Sequence, residues 1–264
     1  MLNHLRKARA LWTHAFAIET TYRAEIIIWM ISGSLPLIML FVWMSLAEAG
    51  PMGGYDAQDF AAYFLLVFLI RQLTVVWVVF ELEREIRLGE LSPKLLKPID
   101  PFWVYVSHHL SAQTVRLPLV IPIFAVGIWL SGANLSFSLL NMFVFSLALA
   151  FAWTVRFNLL YSIGLLSFWT DQTIALNNLV FTVFTVLSGM LIPIDLFPEG
   201  LRGVINFTPF PYLIDFPVRV MLGRVEGAAL LTGLAIQVFW IAVFVALRLT
   251  LWRNGLKRYG AVGA

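Results

Sequence analysis

The sequence predicts an all-α integral membrane protein, a single domain over residues 1–264 built from six transmembrane helices. Three observations carry that prediction. The chain is 60% hydrophobic and only 12% charged, where a soluble domain carries roughly 25% charged residues, and its mean hydropathy is +0.85. Apolar runs of the length that crosses a bilayer, about 20 residues, recur between Gly, Pro and charged connections. Lysine and arginine concentrate at the N-terminus, at 84–97 and at the C-terminus, and are absent from the connections at 47–59 and 131–136.

The net charge of +3 and the pI near 9.3 do not mark a nucleic-acid partner, because so few charges on an apolar chain form no basic stripe. With no cysteine, the chain offers no disulfide, thiolate nucleophile or Cys-ligated metal.

The N-terminal MLNHLRKARALWTHAFA starts like a signal peptide but lacks a continuous apolar stretch of about 7–15 residues before Ala15 and Ala17, and reads as uncleaved. Leu2, Leu5, Ala8 and Trp12 recur at helical spacing opposite Arg6, Lys7 and Arg9, as in a helix lying on a membrane surface; a basic tail without structure is the alternative. Spans follow at 26–46, bounded by Glu25 and EAGPMGGYDAQD, at 60–80, and at 113–130, approached along the interface by FWVYVSHHLSA. Residues 137–169 are too long for one upright helix and too short for two, and read as one long or tilted span. The last two spans fall at 174–192 and 228–251. The basic clusters place both termini and residues 83–101 in the cytoplasm. Trp43 and Trp129 then lie near the outer interface, and Trp77, Trp103, Trp169 and Trp252 near the inner one.

Residues 193–225 are too apolar for a solvated loop and too rich in proline to span. They read as two short helices dipping into the outer leaflet, one opened by Pro198 and Glu199 with Leu201, Val204 and Ile205 on one face; an outer cap without a transport role is the alternative.

The stretch EREIRLGELSPKLLKPIDP, residues 83–101, carries the densest local signals. Glu81 to Arg87 continue the second span as a solvated helix with Glu83 and Arg87 as an i,i+4 pair, and Gly89 suits a left-handed C-terminal stop. Ser92 as N-cap and Pro93 at the first helical position restart a short helix, Pro93 to Lys97, that Pro98 and Pro101 confine. Leu91, Leu95 and Leu96 are left to pack. A capped, two-part element exceeds what a connection of roughly 2–8 residues requires, although an interfacial anchor is the plainer reading.

With these features in place, the whole chain resembles the membrane permease subunits of type 2 ATP-binding cassette exporters, the bacterial group of about 260 residues encoded beside a separate ATPase. The residues that carry the resemblance are Gly89, Leu91, Leu96 and Pro98 in IRLGELSPKLLKPIDP, Ser188, Gly189, Ile192 and Pro193 in LSGMLIPIDLFP, then TPFPYLIDFP and the basic tail WRNGLKRYG. The resemblance implies a coupling helix within 83–101 that docks on the ATPase through Glu83, Arg87, Gly89, Leu91, Pro93, Leu95, Leu96 and Pro98. It also implies outer re-entrant helices at 193–225, an outer gate at Ser188, Gly189 and Pro193, and a second permease, identical or paralogous. A multi-pass place in the bacterial inner membrane follows, with lipid as surroundings. No G-x-x-x-x-G-K-[ST] loop is present, so ATP and Mg²⁺ are expected on the partner and no cofactor or metal in this chain.

Two rival functions compete with this reading. A proton-coupled secondary transporter places acidic or histidine relays inside its spans, and the six spans read above hold no carboxylate. An intramembrane enzyme needs a nucleophile with a base, or a ligand set; His108 and His109 are adjacent on a helix, point about 100° apart, and read as ordinary interfacial residues. Three arginines stand out as translocation or subunit contacts. Arg71 falls mid-span, Arg116 lies about 20 Å below the outer end of its span and is able to snorkel inward, and Arg156 sits in the long fourth span.

Overall fold

A computed structural model describes residues 12, 13, 16, 33–133, 135 and 138–262. Most of the predicted N-terminal interfacial helix and residues 26–32 of the 26–46 span lie outside them. Every regular element among the described residues is helical. The α-helices are α1 (Leu35–Ala47), α2 (Ala57–Thr74), α3 (Val78–Arg87), α4 (Ser92–Leu95), α5 (Pro101–Ser131), α6 (Leu139–Leu165), α7 (Thr173–Leu187), α8 (Glu199–Asn206), α9 (Asp215–Met221) and α10 (Gly227–Val262), with 3₁₀ turns at Leu166–Phe168, Ile194–Leu196 and Phe210–Leu213. Four stretches are long and apolar enough to cross a membrane: Ala57–Arg87, Pro101–Ser131, Leu139–Phe168 and Gly227–Tyr259. Two shorter apolar helices, α1 and α7, occupy the places of the expected first and fifth spans.

The centre of the bundle is α2. Phe60, Tyr63, Phe64, Leu65, Leu66 and Ile70 are fully buried, so this helix is apolar on all sides and meets protein on all sides. Around it, α1 and α5 pack on α2, α3 and α9 pack on α6, and α10 runs along α6. The outward faces of α5 and α10 stay apolar, with Trp129 80% and Leu231 69% exposed, as surfaces that meet lipid or another membrane subunit do.

The contacts sort the connections to two ends. At the cap end, Arg224 reaches Asp59 at 2.9 Å and the Gly54 carbonyl at 3.3 Å, while Trp43 donates to the Leu191 carbonyl at 2.9 Å. At the tail end, Ser92 meets the Tyr259 hydroxyl at 2.9 Å and Arg87 lies 3.9 Å from Asp171. Residues 84–97 and the C-terminal basic cluster therefore share one end.

Three local expectations change. FWVYVSHHLSA is no separate interfacial approach: α5 starts at Pro101, capped by Asp100 on the Phe102 N–H at 2.9 Å, and runs 31 residues through Pro118 and Pro122. The second span is broken, because Val75, Val76 and Trp77 leave the helix between α2 and α3. Residues 193–225 hold two short α-helices as expected, but also two 3₁₀ turns; α9 is buried, whereas Leu201 and Val204 of α8 and the following Phe207 face outward, and Ile205, expected on the same face, is buried.

Candidate functional site

At the tail end, residues 83–101 form a platform fixed from within. Gly89 has φ +75°, a left-handed conformation that stops α3 without a Cβ penalty. Glu83 and Arg87 pair at 2.6 Å across one turn. The expectation that Glu81 to Arg87 form a solvated helix fails on one face: Glu83 and Glu85 are both buried. Glu85 accepts from Lys94 Nζ at 2.6 Å and from the Tyr105 hydroxyl, while the Lys94 ammonium sits 4.3 Å from the centre of the Tyr105 ring. One carboxylate thus ties α3, α4 and α5 together.

Ser92 is not an N-cap. Helix α4 covers Ser92–Leu95, its N-cap is Leu91 with no side-chain bond, and the Ser92 hydroxyl is turned to Tyr259. The leucines divide: Leu91 is fully buried and Leu95 partly, whereas Leu96 is 88% and Leu88 66% exposed. Leu91 is therefore an anchor inside the chain, and the outward apolar face belongs to Leu96 and Leu88. Between the platform and the tail lies a groove of about 720 Å³ reached by Arg87, Leu96, Asp171 and Arg258.

Half-way along the bundle is a smaller cavity, about 310 Å³, and the structure brings Arg71, Arg116 and Arg156 to its wall. The helix break supplies part of that wall through Val75, Val76 and Trp77. A break inside an apolar span frees backbone groups that lipid cannot satisfy, so it is tolerated only against protein or a cavity. Here the Trp77 N–H donates to His109 Nε2 at 3.0 Å. Arg156 donates to the Thr74 hydroxyl at 3.3 Å, and its guanidinium carbon stands 4.5 Å from the centre of the Phe184 ring. Arg71 Nε is buried with no hydrogen-bond partner. Trp77, expected at the inner interface, lies at this break instead.

Residues 29–263 match the family model described as ABC-2 family transporter protein. The chain belongs to that family. No curated protein and no solved structure matches it. As an ABC-2 permease it is a membrane protein of transport.

The cap end of the permease holds a second buried carboxylate. Asp215, 2% exposed, accepts from the Tyr63 hydroxyl at 2.8 Å and the Ile194 N–H at 3.3 Å, and lies 3.7 Å from Arg219, which also reaches Asp195 at 3.3 Å. Burial, the largest influence, pushes the Asp215 carboxyl up to about 6 against the opposing pull of Arg219. Gly189, at φ +88°, offers its carbonyl to Tyr63 at 2.9 Å, and a Cβ there would collide with the Tyr63 oxygen. Ser188 is fully buried with its hydroxyl unpaired and its carbonyl accepting from the Asp215 N–H, and the Pro193 carbonyl accepts from Leu196 N–H, both at 3.0 Å.

Glu81, His108 and His109 come within metal-ligand distance of one another. The lone pair of His109 Nε2 is committed to the Trp77 N–H, and its Nδ1 faces the Tyr105 carbonyl at 2.9 Å. His109 therefore holds the broken backbone and has no free lone pair for a metal.

Sequence reasoning missed Tyr63, Asp215, Glu85, Lys94 and Tyr105 as joined groups, and passed over Arg248, whose guanidinium carbon stacks 3.7 Å from the Phe102 ring centre. Asp215 was the findable one: an acid in the apolar run PYLIDFP demands a partner.

Proposed function

We propose that this ABC-2 permease is the transmembrane subunit of an ATP-driven exporter in the bacterial inner membrane, forming the translocation path and docking a separate ATPase subunit that binds ATP and Mg²⁺. In this reading α1 and α7 complete a six-crossing layout with both termini and residues 84–97 in the cytoplasm. The apolar outer faces of α5 and α10 meet lipid and a second permease.

The observation that carries the reading is the tail-end platform. Two leucines, Leu88 and Leu96, are held outward on a frame braced by Glu85, Lys94 and the buried Leu91. An exposed apolar pair on a rigid element has the character of a docking anchor. The concentration of Lys and Arg at this end supports a cytoplasmic side, where an ATPase subunit works.

The test is Leu96→Asp. An unpaired carboxylate at the contact costs several kcal/mol of binding, so the variant inserts and melts like the wild type but no longer co-purifies with the ATPase. Leu91→Asp, buried, lowers the yield of folded permease instead. Co-purification of Leu96→Asp at wild-type levels sinks the docking assignment.

A further inference from the structure

The cavity behind the helix break has a chemistry that neither the family nor the docking platform explains. Its polar wall is cationic: Arg71, Arg116 and Arg156 line it together with Asn177 and Asn178. Its remaining wall is apolar and aromatic, with Phe80, Phe181, Phe184 and Phe210. Among the described residues no carboxylate pairs with Arg71 or Arg156; what Arg156 has is a threonine hydroxyl and a phenyl face, and neither neutralises it. Buried polar atoms are nearly always paired, yet Arg71 Nε is not. A charge held inside a membrane span must face protein or water and find a partner, and such residues mark substrate pathways.

We infer that this cavity binds an amphipathic anion, a molecule with a phosphate-like or carboxylate head for Arg71 and Arg156 and an apolar body for the phenylalanine wall. Guanidinium groups take oxyanions by two parallel hydrogen bonds, which supplies both the missing acceptor and the missing charge. The volume, about 310 Å³, is at the lower edge of small-molecule pockets, roughly 300–1,000 Å³, and suits a head group and the first part of a chain. The broken helix serves the same end, since interrupted spans with freed backbone groups are how membrane carriers line their midplane sites. That the anion is cargo rests on the exporter reading; that the cavity binds an anion does not.

The experiment is native mass spectrometry of the full-length permease in a neutral maltoside detergent, titrated with decyl phosphate or with decyltrimethylammonium. The expected result is a one-to-one decyl phosphate adduct, weakened about tenfold in Arg71→Gln and in Arg156→Gln, as loss of a charged hydrogen bond implies, and retained in Arg71→Lys. The cation should give no such adduct. Two arms separate the sources. If decyl phosphate changes ATP hydrolysis by the assembled permease–ATPase complex, and does so less in Arg71→Gln, the anion is cargo. If hydrolysis is unmoved while the purified permease carries an anionic phospholipid that Arg71→Gln loses, the anion is a resident lipid; both uphold the class. Equal adducts with the anion and the cation overturn the inference without needing any variant. So does an adduct that survives both glutamine substitutions in protein that melts like the wild type, or no adduct at all. Failure of the permease to assemble with an ATPase refutes the docking reading and leaves the adduct result standing.

Discussion

At the two ends of the bundle a buried carboxylate is met by a tyrosine hydroxyl and a cation; half-way along it, Arg71 and Arg156 line a cavity with no carboxylate paired to them among the described residues. The carboxylates of the ends are paired with cations, and Arg71 and Arg156 of the middle are paired with no carboxylate among the described residues. A membrane chain gains little from the hydrophobic effect between helices, because lipid is as apolar as leucine, so directional polar contacts carry a larger share of specificity. Asp215 and Glu85 use that share to fix the ends, leaving the arginine cavity as the region whose charges await something else.

The ends also differ from each other. Glu85 is paired with Lys94, nine residues on, and with Tyr105, whereas Asp215 draws on Tyr63, 152 residues away in sequence. The tail-end brace is local and belongs to the platform; the cap-end brace staples α9 and the 194–196 turn to the central helix. Loss of the second should therefore damage the fold as a whole. Asp215→Ala leaves the Ile194 N–H without an acceptor and Arg219 with one carboxylate fewer, and is expected to cost about 3 kcal/mol. It reads out as a lower melting temperature in detergent. A wild-type melt would place the stability of the cap end elsewhere.

The same carboxyl makes the next largest effect a matter of pH. Its folded pKa, about 6, lies above the ordinary 3.8. The protonated form is favoured in the fold, so its contribution is fully present below pH 3.8 and is lost as pH rises through 6. About two pKa units correspond to about 3 kcal/mol at most. Melting temperature should fall between pH 4 and pH 7 in the wild type, and Asp215→Asn should flatten that slope. Arg219, Asp195, Tyr63 and Tyr55 surround the group. An unchanged slope in Asp215→Asn assigns the dependence to another acid.

At the tail end, Tyr105→Phe removes one of the donors to Glu85 but leaves Lys94, so the expected loss is about 1–2 kcal/mol. Because the brace is local, the effect should fall on the platform: weaker co-purification with the ATPase and a small change in melting. A large global destabilisation would show that the two ends are not distinct in kind.

What was legible in the sequence follows the same line between local and distant. Gly89 and the Glu83–Arg87 pair were readable because turn chemistry and i,i+4 spacing lie within one helical turn. The long helices were readable from apolar length alone. The break at Val75–Trp77 was not, since LTVVWVVF contains no Gly or Pro and its compensating acceptor, His109, lies 32 residues on. Arg71 and Arg156 were each conspicuous as charges in apolar runs, but their meeting at one cavity depends on how α2 packs against α6, which no spacing encodes. The adjacent histidines misled in the other direction: a pair that resembled idle interfacial residues includes one that holds the broken strand of backbone in place.

Ser92 is the case in which a sound local rule lost to a distant partner, and it supplies the smallest prediction. A serine before proline is a good N-cap candidate, and loss of a working cap costs about 1 kcal/mol whatever the rest of the chain does. In the structure the hydroxyl instead meets Tyr259 from the C-terminal tail, at an exposed site, while α4 has no side-chain cap. An exposed neutral hydrogen bond is worth only about 0.5 kcal/mol. Ser92→Ala and Tyr259→Phe delete the same bond, so each should cost that much and the double variant no more than either alone. The phenyl ring kept in Tyr259→Phe preserves the contact with Phe168, 5.7 Å between ring centres, so packing does not confuse the comparison. Additive losses in a denaturant titration would return Ser92 to the capping role and detach the tail from the platform.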